Sequence, residues 1–106
     1  MIKALTRDEY IEIEKLANAC INAYSQNQVK KELQRLKFLS NYLPIDPYAS
    51  NKLGEIHSWC LEASKRIEYV RKENAASSVR NAMSVLRGFV EKDDFVGSGG
   101  WVNAKG

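Results

Sequence analysis

The side chains best placed to do chemistry are His57, the one histidine of the chain, and Cys60 three residues on. Residues three apart share a helix face. A cysteine nucleophile with an imidazole base, or a thiolate and imidazole on a zinc ion, is the chemistry such a pair would support. Both readings lack partners. A structural zinc site takes four ligands in recognisable spacing, and Cys20, Cys60 and His57 without a CxxC leave it one short. A nucleophile and base need a third group to orient the imidazole, and none is evident. Cys60 also falls in the centre of an apolar stripe, which assigns it to the core and His57 to its edge, with no metal or cofactor implied.

Paired carboxylates are present but badly placed. Glu12 and Glu14 are two residues apart and so lie on different helix faces. Asp8 and Glu12 share a face, but acidic side chains in a first turn are what the helix dipole favours. With Asp93 and Asp94 they read as solvated. Gly97-Ser98-Gly99-Gly100 could form a backbone nest for an anion. No lysine follows it in the manner of a phosphate loop, and no strand and helix are expected around it. Without a coherent acid and base, a metal set or a cofactor fingerprint, the sequence points away from an enzyme.

A binding surface is the stronger reading. Lys31, Arg35, Phe38 and Tyr42 are spaced four, three and four, a single stripe on a helix whose opposite side carries Val29, Leu33 and Leu36. Residues 27–45 hold four basic side chains (Lys30, Lys31, Arg35 and Lys37) against Glu32 alone, whereas residues 1–26 hold three against four. Cations beside rings suit phosphates and stacked bases, or an acidic and partly hydrophobic protein. The competing reading buries Phe38 and Tyr42 as a second core face against another helix. Arg80 and Arg87, seven apart on a later helix, would extend the positive surface if that helix lay beside this one. No helix-turn-helix pattern stands out, since the 25–28 junction has no glycine.

The elements that must position these residues are helical. Thr6-Arg7-Asp8-Glu9 has the form of a capping box, with Leu5 and Tyr10 as its hydrophobic staple. Tyr10, Ile13, Ala17, Cys20 and Tyr24 then mark one apolar face of a helix reaching about Ser25, widened by Leu16 and Ile21. Asn27 is the candidate cap of a second helix over 28–42, whose stripe is Val29, Leu33, Leu36, Leu39 and Leu43 and which Pro44 ends. Asp46-Pro47 reads as the cap and first position of a third. Its stripe is Leu53, Ile56, Cys60, Ala63, Ile67 and Val70, flanked by Trp59.

Val79 comes nine residues after Val70, and at about 100° per residue the two fall on opposite sides of a straight helix. A break near Asn74 resolves the phase, the alternative being one long bent helix. A fourth helix then buries Val79, Ala82, Met83, Leu86, Phe89 and Val90. Phe95-Val96 and Trp101-Val102 flank the glycine run, but an isolated hairpin is marginal in water, so 95–106 is expected to be a flexible tail. The expected fold is all-α, an up-down bundle of about four helices in one domain over 1–94.

At 106 residues, 44% hydrophobic and 27% charged, the chain has the composition of one globular domain and not that of a disordered one. No apolar run nears the ~20 residues of a membrane span. The start turns acidic at Asp8-Glu9 where a signal peptide would become hydrophobic, and two cysteines inside helical patterns require no oxidising compartment. A cytoplasmic setting without membrane contact follows. The net charge of +3, 16 basic against 13 acidic, is too small to demand a nucleic acid. The expected function is a small non-catalytic protein–protein interaction module, with Lys31, Arg35, Phe38 and Tyr42 as its contact residues. Its size fits an adaptor or inhibitor of the kind carried by phages and mobile elements. The alternative is a nucleic-acid-binding helical domain using the same face. Apolar residues beside the main stripes (Phe38, Tyr42, Trp59, Leu61) also favour a homo-oligomer.

Overall fold

The structure, a computed structural model, describes residues 4–65 and 68–91. Within them lie four helices: α1 (Arg7–Asn22), α2 (Lys30–Tyr42), α3 (Pro47–Lys65) and α4 (Tyr69–Arg87), with a 3₁₀ turn (Gln26–Val29) leading into α2. The all-α expectation holds. Ile67, Asp93 and Asp94, the glycine run at 97–100 and the tail expected over 95–106 lie outside the described residues.

The capping box at the start of α1 is complete. The Glu9 backbone N–H donates to Thr6 Oγ1 at 3.1 Å, and the Thr6 N–H donates to Glu9 Oε1 at 2.9 Å, so two otherwise orphaned donors are satisfied. Leu5 and Tyr10, the staple positions, are both fully buried. Leu5 also ties the two ends of the described chain together. Its N–H donates to the Phe89 carbonyl and its carbonyl accepts from the Glu91 N–H, each at 3.0 Å. At the other end of α1, the Lys72 ammonium of α4 donates to the carbonyls of Ile21, at 3.2 Å, and Ala23. Together these contacts make α1 and α4 antiparallel. A cation on the last carbonyls is what a helix C-terminus favours, and α1 has no basic residue of its own in its last turn.

α1 stops at Asn22, with Ala23 extended, three residues before the expected end. Ala23 takes the buried place, and Tyr24, expected in the α1 stripe, is 77% exposed because it lies past the helical phase. The cap expected at Asn27 is also corrected. Residues 26–29 form the 3₁₀ turn, entered from Ser25, and α2 begins at Lys30. Asp46 does cap α3: its Oδ1 accepts from the Tyr48 N–H at 2.8 Å, with Pro47 at the first helical position.

The break in the C-terminal half falls before Tyr69, not near Asn74. Glu68 is extended at φ −70° and ψ 126°, whereas Asn74 lies inside α4. The opposition of Val70 and Val79 is real, but both belong to α4. Val79 is buried and Val70, expected in the α3 stripe, is 66% exposed. Phe89 is partly buried against the core, and Val90 is buried.

α3 packs against all three other helices, and α1 does the same; α2 and α4 lie on either side of this pair and do not form a packed couple of their own. The core is the continuous apolar cluster of Ile13 and Cys20 from α1, Leu33, Leu36 and Leu39 from α2, Ile56 and Cys60 from α3, and Val79, Met83 and Leu86 from α4. No helix of the described residues is long and apolar enough to cross a membrane.

Candidate functional site

The site expected on α2 is positioned by the leucines behind it. Leu33, Leu36 and Leu39 are buried against α1 and α3, so the opposite arc of α2 must face outward, because side chains at i, i+3 and i+4 share a face. Lys31, Arg35, Phe38 and Tyr42 all fall on exposed positions. Phe38 is 50% and Tyr42 69% exposed, which excludes the second-core-face reading. The reason is topological: α4, the helix that could have covered this arc, lies across α3.

Three of the four residues touch. The Phe38 and Tyr42 rings lie 4.8 Å apart, tilted by 33°, within the range in which aromatic pairs attract. The Arg35 guanidinium carbon sits 5.5 Å from the centre of the Phe38 ring, a cation–π distance. Arg35 is itself held from α1. Its Nε donates to Glu12 Oε2 at 2.5 Å and its Nη2 to Glu12 Oε1 at 3.1 Å, a two-point clamp on one carboxylate. That clamp holds the Arg35 guanidinium above its ordinary pKa. Lys31 stands one turn earlier and, like Lys30 and Lys37, makes no ion pair among the described residues.

Glu12 is the participant missed by sequence reasoning, which placed it on a solvated face. Its side chain is indeed partly exposed, but it reaches across to α2. Nothing in a one-dimensional pattern joins residues 12 and 35, because the pair exists only once two helices pack.

The other chemical candidates are committed to packing. Cys60 is fully buried and its thiol points at the Ala17 carbonyl of α1, 4.0 Å away. The neighbouring Cys20 thiol, together with burial, pushes the Cys60 thiol up, away from the nucleophilic thiolate. His57 is half-buried at the edge of α3, as expected, and burial and the nearby Lys37 charge both hold it below its ordinary pKa. Among the described residues no three His, Cys, Asp or Glu side chains gather as a metal site would require. Arg80 and Arg87 sit on α4, away from α2, so the extension of the basic surface onto that helix does not form.

Comparison with protein-family models, curated proteins and solved structures finds no match to this chain.

Proposed function

We propose that this chain is a small non-catalytic interaction module that binds a protein through the outer face of α2, with Phe38 and Tyr42 as anchors and Lys31 and Arg35 as the flanking cations. One observation carries the reading: two large rings stand exposed side by side, held in place by a clamped arginine. An isolated exposed apolar residue needs no explanation. A pre-positioned pair of aromatic rings beside an arginine has the composition of an interface hot spot, where little side-chain freedom remains to be lost on binding.

Charge complementarity defines the partner as an acidic surface with an apolar depression for the rings. Lys30, Lys31 and Lys37 are exposed on the same helix as the rings and make it basic, while Glu12 neutralises Arg35. That partial neutralisation favours a protein over a polyanion, for which a fourth free cation would count. A cytoplasmic setting with reduced cysteines belongs to the same reading, as does the homo-oligomer: a second copy is a lesser candidate for the occupant, because the face is basic and would meet itself.

The test is capture of partners on tagged protein, comparing the wild-type chain with the Phe38→Ala/Tyr42→Ala double variant, with and without nuclease and over a range of salt. Capture that survives nuclease, is lost in the double variant and weakens only modestly with salt supports the reading. Capture of nucleic acid, with a log–log salt slope near about −3 from the three free lysines, would replace it by the nucleic-acid alternative. Sedimentation of a strict monomer would remove the oligomer.

A further inference from the structure

The junction of α1 with the first half of α4 is concave, unlike the outer arc of α2, and shares no residue with it. A cleft of about 480 Å³ opens there, lined in part by Asn22, Tyr24, Tyr69, Lys72, Glu73 and Arg80, a size within the range of small-ligand sites. Tyr24 and Tyr69 are 77% and 75% exposed, so each ring offers a face for stacking, that of Tyr24 being the one opposite Lys72. Lys72 is already used. It caps the end of α1 and stands 5.5 Å from the Tyr24 ring centre, where it orients that ring. Arg80 is exposed and makes no ion pair among the described residues.

The order of groups along α4 is ring, carboxylate, cation. Tyr69 precedes Glu73 by one turn, and its hydroxyl lies 3.5 Å from Glu73 Oε2. Arg80 follows two turns later, about 10 Å further along the axis. Helical side chains lean toward the N-terminus, a direction that from position 80 runs toward Glu73, and Arg80 lines the same cleft. A nucleotide presents its parts in the same order, a flat base, a ribose diol that donates hydrogen bonds, and a phosphate. The Glu73 carboxylate accepts from a diol and repels a phosphate, which fixes the direction of the ligand.

We propose that this cleft binds a nucleoside 5′-phosphate, its base stacked on Tyr24 and Tyr69, its ribose hydroxyls on Glu73 and its phosphate on Arg80. The site is independent of the α2 face, and the two proposals fail separately.

The test is titration of the isotope-labelled full chain with adenosine 5′-monophosphate, followed in amide correlation spectra. Saturable shifts confined to residues 21–24 and 69–80 are expected. Arg80→Gln and Tyr24→Ala, both at exposed positions, should each weaken binding about tenfold at unchanged melting temperature, in line with the loss of one charge-assisted contact or one stacked base. The 2′-deoxy nucleotide should bind more weakly through the lost diol. Phe38→Ala should bind as the wild type does. No saturable shift at millimolar nucleotide overturns the proposal. So do shifts that inorganic phosphate reproduces alone, binding indifferent to Arg80→Gln, or binding of an oligonucleotide in the absence of mononucleotide binding.

Discussion

The two faces of α2 carry stripes of the same period with opposite fates. Leu33, Leu36 and Leu39 are buried between α1 and α3, whereas Arg35, Phe38 and Tyr42, at spacings of three and four, stand in solvent. By periodicity alone either stripe could have been core. What separates them is the covering: α1 and α3 press on one side, and no described helix packs on the other. An aromatic stripe therefore becomes a candidate surface through the absence of a neighbour, a property of the bundle and not of the helix.

The sharpest way to break this contrast is substitution on each face. Leu36→Ala should cost about 2–5 kcal/mol, the range for truncating a buried leucine, while Phe38→Ala should cost under about 1 kcal/mol, as is usual for an exposed site away from packing. Chemical denaturation of the two variants reads both. Equal losses would mean that the outer stripe is buried after all.

A second contrast concerns rings. Tyr10 is fully buried, and its hydroxyl lies 3.4 Å from the Met83 carbonyl, whereas Tyr42 is exposed. Burial pushes the Tyr10 phenol up to about 12, with the Glu14 carboxylate adding to the shift and Arg87 opposing it. In the unfolded chain the same group ionises near about 10. Between these values the unfolded chain holds fewer protons than the folded one, so stability is full below pH ~10 and falls as pH rises, by about 1.4 kcal/mol per unit. Melting curves across this window should show that loss, and Tyr10→Phe should flatten it.

Two of the polar ties that α1 makes with its neighbours differ in depth. Lys72 sits partly buried on the α1 carbonyls, and Lys72→Met should cost about 1 kcal/mol as those acceptors lose their donor. The Glu12 and Arg35 clamp lies nearer solvent. A double-mutant cycle should therefore find only a small coupling that fades with added salt, and that is the smallest effect expected. Its weight should fall instead on partner binding, where Glu12→Gln would loosen Arg35 and weaken capture without moving the melting temperature. An unchanged capture would show that the clamp does not prepare the face.

Local signals carried most of the fold. The Thr6 and Glu9 box, the Asp46-Pro47 cap and the leucine stripe of α2 were all legible, because capping and amphipathicity act over three or four residues. The same locality explains the errors. Tyr24 kept the spacing of the α1 stripe but lies beyond the end of that helix, and Val70 was correctly opposed to Val79 but assigned to the wrong helix. Both of these arose where a helix ended without a recognisable stop signal, whereas the Asn27 cap failed at a helix start, where a 3₁₀ turn precedes α2.

For the candidate site, the sequence alone determined its membership: Lys31, Arg35, Phe38 and Tyr42 share an arc because of helix geometry, whatever surrounds them. Only the tertiary structure decided that the arc is exposed, that Glu12 of α1 clamps Arg35, and that Tyr24, Tyr69 and Arg80 meet around a cleft. The physical reason is distance along the chain. Contacts between residues 12 and 35, or 24 and 80, form only when whole helices pack, and helix packing is set by the summed burial of many side chains, none of which encodes the pairing by itself.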